Sequence, residues 1–117
     1  MELMLMMAPA EIAYQAVLTS DGSGTVTSLI AYEAQPTGSL RAVLWSVPRQ
    51  AWIYAPAQAS TFLFDPGYQD RTRPLTRTNA QQVATAVLGT ELPDEATLLE
   101  MYAEGERMGW SYGPPRQ

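Results

Sequence analysis

The 117-residue chain contains no cysteine, no histidine and no lysine. Each absence removes chemistry. Without Cys there is neither a disulfide framework nor a thiol nucleophile. Without His there is no Ser-His-Asp triad, and without both there is no zinc site of the common kinds. Without Lys there is no Schiff-base amine and no P-loop lysine. No glycine cluster follows a strand in the dinucleotide-binding manner. Carboxylates, arginine, tyrosine and hydroxyls are what is left for catalysis, and no motif groups them. We therefore assign no catalytic residue, metal ligand or cofactor, and read the chain as a non-enzyme.

Positive charge is also scarce. Twelve acids face seven bases, for a net charge of −5. Such a chain repels phosphate backbones, which argues against nucleic-acid binding. No long apolar run is present either. The opening MELMLMMAPA carries about seven apolar residues and lacks a basic leading region, so it fits neither a secretory signal nor a membrane span. It reads as a short N-terminal arm (1–10), and the cytoplasm is the default location. The bases are all arginine and sixteen residues are alanine, a usage that points to a GC-rich bacterial genome.

What is there suits one globular domain over 1–117. Hydrophobic residues make up 46% and charged ones 16%, within the range of folded proteins, and this length supports one core. The most apolar stretch is Leu40 to Pro56, LRAVLWSVPRQAWIYAP, expected to form two adjacent strands at the centre of a sheet. Leu40–Val47 is apolar on both of its sides, so that strand should be covered on both faces or lie mid-sheet. Before it, 11–19 and 25–34 alternate at period two and are joined by the turn residues Ser20 to Gly24. Ala51–Ala55 completes a four-stranded antiparallel meander over about 11–55.

After Pro56 the period becomes helical. Three helices are expected, at about 56–64, 79–88 and 93–108, packed on one face of the sheet as an α+β fold. Pro66 and Gly67 should form a turn with positive φ at Gly67. The stretch from Gln69 to Arg77 is a polar loop. Thr78 and Gln81 read as a capping box. Ala80, Val83, Ala84, Val87 and Leu88 form one apolar stripe, and Leu98, Met101, Tyr102, Gly105 and Met108 another. Gly105 inside the last helix costs about 1 kcal/mol relative to Ala, which implies close packing there. A C-terminal tail (110–117) should lie back on the body, because Trp110 is too large an apolar residue to leave in solvent.

Two groups of residues are candidates for contact with a partner. Asp65, Tyr68, Asp70, Arg71, Arg73 and Arg77 crowd one loop, where arginine forks suit carboxylate or phosphate groups. The bland alternative is that these charges pair with one another and with the last helix. Six of the twelve acids, from Glu91 to Glu106, gather near the C-terminus. Glu100 and Glu104 among them would present an acidic face to a basic partner, or else a solvated face answered by the loop arginines. Trp110 and Tyr112 join the candidates because such aromatics are enriched at interfaces.

The leading expectation is a small acidic binding module that docks a protein partner. As a small, acidic α+β chain it resembles immunity proteins that neutralise bacterial toxins, a likeness of type that carries no residue over. The alternative is a small-molecule-binding protein or carboxylate-dependent enzyme, with a pocket between sheet and helices. An open sheet also leaves an edge able to pair with a second copy as a homodimer.

Overall fold

The computed structural model describes residues 12–19, 21–34 and 40–114. The expected N-terminal arm and the last residues of the tail lie outside them. The first four strands are β1 (Ala13–Leu18), β2 (Val26–Ala34), β3 (Leu40–Ser46) and β4 (Ala51–Tyr54). They pair sequentially and antiparallel, as the alternation predicts. A fifth strand, β5 (Thr72–Leu75), adds to the free edge of β1. The order is β4-β3-β2-β1-β5.

β5 replaces part of the expected polar loop. Its sequence, TRPL, has no alternation to betray it. Pairing with β1 makes it a strand, with Tyr14 opposite Leu75 and Gln15 opposite Pro74. An edge strand tolerates a proline, which lacks the N–H that an interior strand must donate. The fifth strand also shifts the centre of the sheet to β2. The tryptophan-bearing pair β3–β4 lies to one side rather than at the centre, because the last strand of a meander ends at an edge, and β4 is that edge.

Successive side chains in a strand point to opposite faces, and both faces here are buried. One carries Tyr14, Ala16, Leu29, Ala31, Val43 and Tyr54, packed with Ala80, Ala84, Leu92, Leu98 and Tyr102. The other carries Val17, Ile30, Ala42, Leu44 and Ile53, packed with Ala55 and Ala59. The helices are therefore divided rather than stacked on one face as expected. Helix α1 (Pro56–Phe64) covers the second face; α2 (Arg77–Val83) and α3 (Glu95–Met108) cover the first. The reason lies in β3. Ala42, Val43, Leu44 and Trp45 are all buried, so both sides of that strand need cover. The chain turns onto the nearer face straight after β4, where the Ala55 N–H donates to the Ala42 carbonyl at 2.9 Å.

Helix α1 matches its expected span. Helix α2 starts earlier than expected, because Thr76 and not Thr78 is its N-cap. The Thr76 hydroxyl accepts the Asn79 N–H at 3.1 Å. Thr78 sits one residue inside the helix, where a side chain no longer reaches forward to a free N–H. The helix continues as one wide π turn, Ala84–Leu88, ended by Gly89 at φ 70°. A wide turn holds an extra residue and breaks the 3.6 period. Val87 leaves the apolar stripe and is exposed. Helix α3 is capped by Asp94, whose carboxylate accepts the Thr97 N–H at 2.7 Å. Leu98, Tyr102 and Gly105 are buried on its inner side, while Met108, in its last turn, is exposed.

The turn after α1 also differs from expectation. Gly67 is not in the left-handed region. Residues Pro66–Arg71 form a 3-10 turn instead, in which the Tyr68 N–H donates to the Asp65 carbonyl at 2.9 Å.

Candidate functional site

Helix α3 is placed on the sheet by Gly105 and Tyr102. A methyl group at Gly105 would lie 2.1 Å from the Tyr54 ring, far inside contact distance. The absent side chain is what lets α3 settle against β4. One turn earlier, the fully buried Tyr102 donates its hydroxyl to the Ala31 carbonyl at 2.9 Å. Burial, aided by the nearby Glu33 charge, pushes the Tyr102 hydroxyl far above its ordinary pKa of 10.0, so it stays a donor. Burial and Glu106 push Tyr54 the same way.

With its inner side fixed, α3 turns its carboxylates outward. Glu95, Glu100, Glu104 and Glu106 are exposed. Arg41 lies between Glu106 at 3.0 Å and the buried Glu33 at 3.6 Å, and so ties the end of α3 to β2 and β3. Arg107 reaches Glu104 only at 3.9 Å, with both side chains more than half exposed. A surface pair of that kind contributes little. Among the described residues no arginine of the 65–77 segment forms an ion pair with α3.

Two of those arginines, Arg71 and Arg77, are engaged elsewhere. The Arg71 Nε donates to the Leu18 carbonyl at 3.2 Å, and its guanidinium lies 5.0 Å from the Tyr68 ring centre. Tyr68 in turn packs edge-on against Phe62 of α1 at 5.2 Å. Arg77 donates to the Tyr14 hydroxyl and, at 3.1 Å, to the Pro93 carbonyl. It therefore clamps the start of α2 to β1 and to the approach of α3. Asp65 accepts the Gly67 N–H at 2.8 Å and fixes its own turn. Asp70 and Arg73 are exposed. The structure thus divides the expected recognition loop. Asp65, Tyr68 and Arg71 belong with α1, Arg73 with the outer strand, and Arg77 with α2 and α3.

The two tail aromatics also part company. Tyr112 packs with the α1-side cluster. Its hydroxyl is 2.7 Å from the Ser46 hydroxyl, and the Arg49 guanidinium lies 4.9 Å from its ring centre. Trp110 packs with the α3-side cluster. The described part of the tail, 110–114, is held back on the body, with the Gly113 N–H donating to the Tyr54 carbonyl at 2.8 Å and Arg49 to the Pro114 carbonyl at 2.7 Å.

Folding the tail back creates a feature that sequence reasoning missed. Trp52, Tyr54, Met101, Glu104, Trp110 and Pro114 enclose a hollow of about 120 Å³ at the edge of β4. Trp52, in the stretch expected at the centre of the sheet, is only half-buried. Its indole N–H donates to the Glu91 carbonyl at 3.0 Å. No local signal places residue 52 beside residue 110; only the return of the tail does.

A second concavity, of about 360 Å³, is open and lies near the start of β1. Tyr14, Gln15, Tyr32, Arg77 and Glu95 contribute to its lining. Among the described residues no group of three or more acids converges to hold a metal ion, and no helix is long and apolar enough to cross a membrane. Comparison with protein-family models, curated proteins and solved structures finds no match to this chain.

Proposed function

We propose that the chain is a protein-binding module whose contact surface is the outer side of α3 with the adjoining tail. One observation carries this reading. Glu100 and Glu104 stand exposed on α3, while Arg71 is turned onto β1 and Tyr68 and Arg77 reaches only the start of the helix, at Pro93 and Asp94. The acidic surface is not answered from within the loop, so a basic partner would gain both steering and register there. In this reading the partner is basic, the chain acts by occupying it, and catalysis is absent. Inhibition of a toxin, as by an immunity protein, fits the small size and the net charge of −5. The test is affinity capture from the source organism, followed by calorimetry with the captured protein. A Glu100→Arg/Glu104→Arg variant should lose that partner. If nothing is retained by the wild type, or the reversed variant retains it equally well, the reading is wrong.

A small-molecule reading has one observation in its favour, the concavity lined by Tyr14, Tyr32, Gln15 and Arg77. Pockets of several hundred Å³ with a few convergent polar groups are the usual form of ligand sites. A thermal-shift ligand screen separates the two readings: ligands that raise the melting temperature, and lose that effect in Arg77→Gln, would favour the second.

A further inference from the structure

The hollow at the edge of β4 indicates what the partner brings to the surface, an inference that rests on reading α3 as a protein-contact face. Its lining includes Trp52, Tyr54, Trp110, Met101 and Pro114, together with the half-exposed Glu104. The walls are held before anything binds. Trp52 is fixed by its N–H bond to the Glu91 carbonyl and by edge-on packing against Trp45 at 5.5 Å. The backbone at Trp110 is held by its N–H, which donates to the Gly105 carbonyl at 3.0 Å, and its side chain packs against the α3-side core.

We propose that this hollow accepts the cationic head of an arginine or lysine side chain from a basic partner. Trp52 and Trp110 supply aromatic walls, and the Glu104 carboxylate supplies the counter-charge. Tryptophan is the best of the aromatic partners for a cation, and the attraction strengthens where water is excluded. A volume of about 120 Å³ holds a guanidinium or ammonium head with its last methylenes, and little more. Charge selects among occupants. Glu100 lies one turn before Glu104, so an anion is repelled, and a plain apolar side chain leaves Glu104 only its long, exposed pair with Arg107. Arg107, the base nearest along α3, does not line the hollow; it is exposed and reaches Glu104 only at 3.9 Å.

The test uses the intact protein and two small amides. N-acetyl-arginine amide carries the cation, and N-acetyl-citrulline amide has nearly the same shape without the charge. Each is titrated while the indole N–H resonances of Trp52 and Trp110 are followed by NMR. The arginine amide should shift both signals saturably, with affinity on the order of millimolar. It should bind about fivefold or more tightly than the citrulline amide. Glu104→Gln, which keeps the shape of the site, should reduce that preference to the share the tryptophans supply. An equal response of the wild type to both amides, or a preference unchanged in Glu104→Gln, overturns the proposal. The outcome is separable from partner capture. If the captured protein still depends on Glu100 and Glu104 while the arginine amide is ignored, the contact face stands and the cation hollow falls.

Discussion

The two helical coverings of this sheet differ in kind. On one face α1, PAQASTFLF, contains no charged residue at all. It follows β4 directly and buries Ala59 against Ile30, Leu44 and Ile53. On the other face α3 devotes its inner side to Leu98, Tyr102 and Gly105 and its outer side to carboxylates. Both coverings are required by the same fact, the two-sided burial of β3. Only one of them exposes more charge than folding needs. Glu106 is held by Arg41, but Glu104 has only the long, exposed pair with Arg107, and like charges one turn apart, as at Glu100 and Glu104, gain little for stability. Their presence is better explained by what meets that surface.

If the inner side of α3 is the tighter of the two packings, substitutions there should have the largest effects. Tyr102→Ala removes a fully buried ring and should cost about 4 kcal/mol, read by denaturant unfolding. Ala59→Gly, at the matching contact of α1, should cost only about 1 kcal/mol. Comparable losses at the two positions would break the contrast. Gly105→Ala sharpens it. The added methyl must displace the Tyr54 ring, and overpacking should outweigh the helix-propensity gain by about 2 kcal/mol. A stabilised Gly105→Ala protein would show that α3 does not sit where the structure puts it.

The fold was legible in the sequence wherever period and capping act locally. The meander follows from alternation in 13–18 and 26–34, and α1 from Pro56 and the change of period. Gly105 read correctly as a point of close approach, because an interior helix glycine has a cost that only packing offsets. The failures have tertiary causes. β5 is a strand because β1 offers an edge, and TRPL carries no pattern of its own. Thr76 and Thr78 are both reasonable caps in isolation; the pairing of 72–75 with β1 decides which residue ends the extended segment. The division of helices between two faces was implicit in the two-sided β3, but was not drawn from it. In the candidate site, the acids of α3 were visible as a charge run. The hollow was not, since it joins residues 52, 101 and 110 through the path of the tail.

Smaller effects test these corrections. Thr76→Ala should cost about 1 kcal/mol, whereas Thr78→Ala should stay within about 0.5 kcal/mol of wild type. The reverse ranking in thermal melts would restore the later helix start.

Acid titration should have the smallest effect. Asp21 accepts from the Thr19 hydroxyl and from the Ser23 N–H and is held down to about 2. Asp94 is lowered from 3.8 by the Thr97 N–H. A carboxyl whose folded value is depressed stabilises the fold above its unfolded value, and that contribution is lost as pH falls through the folded value. Stability should therefore decline from about pH 3.8 toward about 2. The decline should be shallower in Asp94→Ala, whose α3 has lost the titrating cap. An unchanged acid limb in that variant would remove Asp94 from the account.

The most direct measurement is calorimetry of the captured partner against two charge variants, one on each covering. Glu100→Arg/Glu104→Arg on α3 should weaken binding by about a hundredfold or more, as for close charge pairs across an interface. Thr61→Arg on the exposed side of α1 should leave it unchanged. Loss of binding through α1, with α3 indifferent to reversal, would contradict the account.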